Sequence, residues 1–182
     1  MTTDLSKFNN SWYKPGAYSF KCMLWYFVNV FFMKSSWLPF SGARVVLLRS
    51  FGASIGKGVN IKPAVNIKYP WRLTIGDYAW IGENVWIDNL DDVTIGVHCC
   101  ISQGALLLCG NHNYKKETFD LKTGKIVLEN GVWIGANATV CDGVTCRSHS
   151  VLAVGSVATN DLGAYGIYQG NPAVKVRTRQ IS

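Results

Sequence analysis

The sequence is short of acidic residues, of histidine and of long apolar runs, and each shortage narrows the reading. Eleven Asp and Glu stand against 18 Lys and Arg, which gives a net charge of +7 over 182 residues. A basic chain points to an anionic partner: nucleic acid, a phosphorylated cofactor or an acidic membrane surface. The basic residues are scattered, with Lys115-Lys116 and the Lys175/Arg177/Arg179 tail as the only small clusters. No nucleic-acid-binding motif accompanies them, so no nucleic-acid partner is expected. None of the six Cys forms a C-x-x-C pair, which argues against a zinc site or a redox dithiol. Buried reduced thiols and a cytoplasmic location are expected instead. The apolar run Cys22–Met33 holds 12 residues, Asn29 among them. A bilayer-spanning helix needs about 20. The run also starts late, follows Asp4 and lacks a cleavage site, so a cleavable leader is not expected. A hydrophobic fraction of 48% excludes general disorder, and the length suits one domain.

What the chain has is a repeat. Stepping by six gives Ile55, Ile61 and Ile67, then Ile75, Ile81 and Ile87, then Ile95, Ile101 and Leu107. After a gap come Leu128, Ile134 and Val140, then Cys146, Leu152 and Ala158. Written in three columns, aliphatic residues stand over aliphatic residues in nearly every place. Four positions on, small residues recur: Val59, Ala79, Cys99, Val65, Val85, Ala105, Ala138 and Ser156. This predicts an all-β solenoid, a three-sided parallel β-helix over Ile55 to Ala158, in which each coil buries its inner residues against the next. A β-sandwich of short strands would not hold a strict step of six in phase over five coils.

The departures from six share one corner. Ile67 to Ile75 and Ile87 to Ile95 are steps of 8, and Leu107 to Leu128 is a step of 21. The last contains a long loop, residues 110–125. Aligned by column, the corner predicts Arg72, Asp92 and His112 in one stack, and Trp71, Asp91 and Asn111 in another. Neighbouring strands lie about 4.8 Å apart, so Asp91 or Asp92 would be within reach of the root of the loop. Loops held out from a rigid scaffold are where chemistry usually sits.

Leu108-Cys109-Gly110-Asn111-His112-Asn113-Tyr114 resembles the active-site stretch of hexapeptide-repeat acyltransferases. Asn130-Gly131-Val132-Trp133-Ile134-Gly135-Ala136 and Gly170-Asn171-Pro172-Ala173 are similar to that family too. A narrower resemblance, over nearly the whole chain, is carried by Asn10-Ser11-Trp12-Tyr13, Leu24-Trp25-Tyr26, Ile67-Lys68-Tyr69-Pro70-Trp71-Arg72 and Trp86-Ile87-Asp88-Asn89-Leu90. These strings look like the colanic acid biosynthesis acetyltransferases of the WcaF type. The resemblance implies left-handed coils, a homotrimer, acetyl-CoA as donor and a sugar hydroxyl as acceptor in exopolysaccharide biosynthesis.

The resemblance gives the residues roles. A sugar hydroxyl is a poor nucleophile until a base takes its proton, and the pKa of imidazole suits His112 to that task in a ternary complex. A backbone N–H would stabilise the developing oxyanion. Asp88, Asp91 and Asp92 are candidates for orienting His112 or binding sugar hydroxyls, with Asn89 and Asn111 beside them. Trp133 offers an aromatic face to a sugar ring or to the pantetheine arm. The donor groove would be lined by Ala136, Ala153, Val154, Thr159 and Asn160, with Arg177 and Arg179 meeting the coenzyme phosphates. Relatives often carry Lys where Asn160 stands, which weakens the phosphate assignment there. No clear match exists to the acceptor-binding Asn of the galactoside-type relatives.

Residues 1–50 read as a helical, apolar N-terminal segment, 51–162 as the β-helix with its loop, and 163–182 as a short tail. The stretch Ala17–Met33 is apolar nearly all round. It is expected to pack on the open end of the solenoid or on a neighbouring subunit. A sharper alternative is peripheral contact with the inner membrane face, where lipid-linked oligosaccharide acceptors are assembled, with Lys21 and Lys34 flanking the run. Two other classes stay open at this stage. A non-catalytic assembly solenoid would need no intact His112 loop. A metal enzyme like the γ-class carbonic anhydrases needs three His around zinc, and this chain has only His98, His112 and His149, so no metal is expected.

Overall fold

In the computed structural model, which describes residues 2–182, the six-residue steps form a three-sided prism of short parallel strands. The first sheet stacks Ser54–Ile55, Leu73–Ile75, Val93–Ile95, Ile126–Leu128 and Thr145–Cys146. The second stacks Asn60–Ile61, Trp80–Ile81, Cys100–Ile101, Trp133–Ile134 and Val151–Leu152. The third stacks Asn66–Ile67, Trp86–Asp88, Leu106–Leu108, Thr139–Val140 and Val157–Ala158. The registers are those of the columns: Ile55 pairs with Ile75, Ile81 with Ile101 and Ile87 with Leu107. These inner residues are buried, and Ile67, Ile81, Ile87, Ile101 and Leu107 are wholly so. Each contributes about 1.5–3 kcal/mol by leaving water.

The corners explain the small and turn-forming residues. Ala79, Val85, Cys99, Ala105 and Ala138 fill the narrow interior beside the aliphatic columns. At Gly76 an added Cβ would stand 2.7 Å from the backbone N of Val97 in the next coil, so no side chain fits. At the corner between the first and second sheets, Tyr78, His98, His149 and Tyr165 adopt positive φ. Their rings stack in pairs, Tyr78 on His98 at 5.3 Å and His149 on Tyr165 at 4.9 Å.

The two-residue swellings are not loose. Leu73, Val93 and Ile126 pair in register and are all buried, so the swollen corner adds a second apolar column to the first sheet.

The N-terminal segment forms α1 (Ser19–Val28), which continues as a wider π-type turn over Asn29–Met33, and α2 (Ser41–Ser50). Helix α1 lies along the third sheet rather than over the open end. Trp25 Nε1 donates to the carbonyl of Ile67 at 2.9 Å, and Asn29 Nδ2 to Asn66 Oδ1 at 2.7 Å. The open end is covered by α2, which the sequence reading does not separate. Ser41 Oγ accepts from the backbone N of Ile61 at 2.8 Å, and Arg49 Nη2 donates to the carbonyl of Ile55 at 2.7 Å. Trp25 is the one buried residue of α1, so within the chain this helix packs by one edge, on the third sheet and not on the open end. Its other aromatic residues face outward.

Residues 163–182 are not a free tail either. Gly166–Gly170 adds a sixth parallel strand to the second sheet. Ala173–Thr178 then returns antiparallel to it and closes that edge. The solenoid therefore extends beyond residue 162.

Candidate active site

The chain leaves the prism after Leu106–Leu108, at the corner between the third and first sheets. Gly110–His112 pairs antiparallel with Leu121–Thr123, so the long loop is a hairpin in which His112 faces Leu121. The backbone N of Gly124 donates to the carbonyl of Cys109 at 3.0 Å and closes its base. Asn111 braces the strand: its Oδ1 accepts from the backbone N of His112 at 2.8 Å, and its Nδ2 donates to Asp142 Oδ1 at 2.9 Å.

The imidazole of His112 is half-buried, and its Nδ1 lies 2.9 Å from the carbonyl oxygen of Phe119. A carbonyl can only accept, so Nδ1 carries the proton in the neutral ring. Nε2 is then the unprotonated nitrogen, the one able to take a proton. The ring is clamped flat on the Phe119 ring, with centroids 4.4 Å apart and planes at 9°, and Phe8 approaches to 5.9 Å. Phe119 adopts φ +50, an uncommon backbone for a bulky residue.

The carboxylates fall elsewhere than the column alignment predicts. Because Leu73, Val93 and Ile126 share a register, the residue above Arg72 and Asp92 is Lys125, not His112. Lys125 Nζ lies 3.5 Å from Asp92 Oδ2. Asp91 accepts from Thr123 Oγ1 at 3.4 Å and faces Arg72 Nη1 at 3.8 Å. The two expected stacks are therefore broken, because the hairpin carries His112 and Asn111 off the coil. His112 is oriented by a backbone carbonyl. Asn89 is fully buried and bonds through both ends of its amide to the backbone of Tyr69, at 2.9 and 2.6 Å, so it presents no free atom to a ligand. Asp88 is buried but opens onto a cavity, with Lys68 Nζ 3.0 Å from its Oδ1.

Several residues at the site are not singled out by the sequence reading. Residues 4–15 run across the hairpin and its neighbouring coil. Lys7 Nζ lies 2.8 Å from Glu117 Oε1, Tyr13 Oη donates to the carbonyl of Leu90 at 2.8 Å, and Arg72 donates to the carbonyls of Lys14 and Pro15. Burial pushes the phenols of Tyr13 and Tyr69 upward, so both stay protonated. Phe8, Phe119 and Lys68 complete the surroundings. Tyr13 and Lys68 do lie in the strings that carry the resemblance, which was the available signal.

A second cavity, about 680 Å3, lies on the second sheet and its corner with the third. Ala136, Ala153, Val154, Val151, Ile167 and Trp133 wall it, with Arg177 and Arg179 at its edge. Apolar walls ending in two guanidinium groups fit a pantetheine arm and its phosphates. Arg179 is already engaged, since Nη1 donates to the carbonyls of Gly131 and His149, while Arg177 is exposed. Trp133 belongs to this cavity rather than to the His112 side, and its Nε1 donates to Ser102 Oγ at 3.0 Å. Thr159 and Asn160 stay outside it, bonded to each other at 3.2 Å on an exposed corner.

The solenoid, the histidine hairpin and the Arg-edged cavity define a class, the left-handed β-helix acetyltransferases of the hexapeptide-repeat type. A hexapeptide-repeat acetyltransferase of Vibrio cholerae, solved with acetyl coenzyme A, superposes with a TM-score of 0.73 at 25% identity over 80% of this chain and 81% of that one. A galactoside acetyltransferase solved with coenzyme A shares the fold, with a TM-score of 0.77 at 23% identity over 87% of this chain and 80% of that one. No protein-family model matches the sequence. The colanic acid biosynthesis acetyltransferase WcaF of Escherichia coli K12 is 38% identical over 176 residues, 97% of each chain. The chain belongs to that family of acetyltransferases.

Proposed function

We propose that the protein moves an acetyl group from acetyl-CoA to a sugar hydroxyl during exopolysaccharide biosynthesis, with His112 as general base in a ternary complex. The observation that carries this reading is the Nδ1 contact of His112 with the carbonyl of Phe119, which leaves Nε2 free to accept a proton. Acetyl-CoA supplies the acetyl group as an activated thioester and departs as the free thiol. Ala136, Ala153, Val154 and Trp133 would hold its arm, and Arg177 its phosphates. Asp88, Asp91, Asp92 and Asn111 stand on the His112 side, where Asp88 has acceptor capacity toward a sugar hydroxyl. Asn89 supports that wall from within.

The donor cavity and His112 stand at opposite edges of the third side of the prism. That separation supports a homotrimer in which the hairpin of one copy faces the donor cavity of the next. The test is acetyl transfer by the purified protein to a panel of nucleotide sugars and lipid-linked oligosaccharides. Transfer should require His112, and near-normal transfer by His112→Ala would sink the assignment.

A second reading concerns the N-terminal helices, and the whole N-terminal third favours it. Phe20, Phe31, Trp37 and Phe40 are 69%, 58%, 61% and 69% exposed. No Asp or Glu occurs between Asp4 and Asp77, whereas Lys14, Lys21, Lys34 and Arg49 do. No helix among the described residues is long and apolar enough to cross a membrane. An aromatic, positively charged surface of this kind suits peripheral contact with the anionic cytoplasmic face of a membrane.

A further inference from the structure

Between α1 and the outer face of the third sheet lies a cavity of about 350 Å3, walled by Tyr26, Asn29, Lys34, Lys68, Trp86 and Asp88. Small ligands are held in pockets of about 300–1,000 Å3. The rings of Tyr26 and Trp86 are largely exposed, so they offer flat apolar faces to a sugar ring. Asp88 is 8% exposed, and its contact with Lys68 is an ion pair not aligned as a hydrogen bond. Oδ1 is sealed from solvent against Lys68, so the capacity to accept from a hydroxyl falls to Oδ2, which makes no hydrogen bond. Asp88 balances Lys68, while Lys34 has no carboxylate at ion-pair distance among the described residues. The cavity is thus sugar-like in its surfaces and carries one uncompensated positive charge.

It is not isolated. Lys68 and Tyr69 also wall a neighbouring cavity of about 470 Å3, bounded by Phe8 and Leu121. Phe8 lies against the ring of His112, and Leu121 is the partner of His112 across the hairpin. The two cavities adjoin at Lys68 and Tyr69 and form a trough from α1 whose far end is bounded by Phe8 and Leu121, the neighbours of His112.

We propose that this trough receives an acceptor longer than one sugar, and that the cavity beneath α1 is a second subsite for a glycosyl unit bearing a negative charge. The unit to be acetylated sits at His112, so the proposal rests on His112 being the base of a sugar acetyltransferase. A uronic acid carboxylate and a sugar phosphate share the chemistry that Lys34 and Lys68 would recognise.

The test uses intrinsic tryptophan fluorescence of the full chain, since Trp25 and Trp86 line the cavity. The ligands are glucuronic acid, glucose 1-phosphate, glucose and inorganic phosphate. At least one anionic sugar should give a saturable change about tenfold tighter than glucose, roughly the effect of one charge-assisted contact. Preference for glucuronic acid identifies a carboxylate, and preference for glucose 1-phosphate identifies a phosphate. Lys34→Gln should erase the preference, and Trp86→Ala should weaken both sugars alike. Binding of inorganic phosphate as tight as glucose 1-phosphate, no preference over glucose, or a preference untouched by Lys34→Gln would overturn the subsite. Acetyl-CoA binding and transfer to a neutral monosaccharide are followed in Lys34→Gln and should stay within about twofold of the parent. Loss of His112 dependence there defeats the acetyltransferase reading alone. An absent charge preference with transfer intact defeats the subsite alone.

Discussion

His112 and Phe119 are joined twice, by a 2.9 Å contact from Nδ1 to the backbone carbonyl and by flat stacking of the two rings at 4.4 Å. The first contact sets the tautomer and the second sets the plane. His112→Ala should lower kcat by about 100-fold to 10,000-fold, the range for loss of a positioned base. Phe119→Ala keeps the carbonyl and loses the ring, so a smaller fall of about tenfold is expected. Steady-state kinetics with acetyl-CoA binding measured alongside checks both, and neither variant should weaken donor binding.

At the Arg-edged cavity proposed for the donor, Arg177 and Arg179 should separate. Arg177 is exposed and free, so Arg177→Gln should raise the KM for acetyl-CoA by roughly tenfold with kcat little changed. Arg179 bonds to the carbonyls of Gly131 and His149, so Arg179→Gln should also lower the melting temperature. A donor lacking the nucleotide phosphates should not distinguish Arg177→Gln from the parent.

Stability should fall in alkali. Burial pushes the thiol of Cys99 up to about 11, and those of Cys109 and Cys146 to about 12, from an ordinary value of 9.0. Above pH 9 the unfolded chain releases these protons and the folded chain holds them. Each thiol then removes roughly 1.4 kcal/mol of stability per pH unit until its folded value is reached. Urea midpoints should be level from pH 7 to about 8.5 and drop beyond. Replacing the three Cys by Ala should flatten the drop.

The column structure makes a sharp prediction about substitutions. Ile101 is fully buried between Ile81 and Ile134, so Ile101→Ala should cost about 2–5 kcal/mol. Thr94, exposed on the outer face of the first sheet, should tolerate Ala within about 0.5 kcal/mol. Chemical denaturation of the two variants gives the comparison.

Flotation with liposomes tests the N-terminal surface. The protein should rise with vesicles containing anionic lipid, and less with neutral ones or at high salt. Phe20→Ser with Phe31→Ser should abolish it, and the absence of binding to anionic vesicles would remove this reading.

The solenoid was legible because its period is stated by the side chains themselves: a column of Ile55, Ile75 and Ile95 has one simple packing. The hairpin was not, because column counting assumes that the chain stays on the coil. His112 was identified by its place in the long interruption, but its neighbours were set by an antiparallel pairing that has no six-residue signature. Phe119 contributes through a backbone carbonyl, an atom that every residue possesses and no sequence advertises. Helix α1 was recognised by its aromatic residues, yet apolarity alone did not say which face would find a partner. Ala136, Ala153, Val154 and Arg177 line one cavity, whereas Thr159 and Asn160 lie beyond it.

The base of the hairpin is closed by Gly124 on Cys109, and the coil resumes at Ile126 in the register that Val93 dictates. Everything between those two points is carried by the prism without being needed for its winding. The excursion behaves as an exchangeable cassette. Around His112 and Phe119, its sequence and length can change while the coils above and below keep their pairing. A lineage built on this scaffold can reshape the hairpin without having to reinvent a fold.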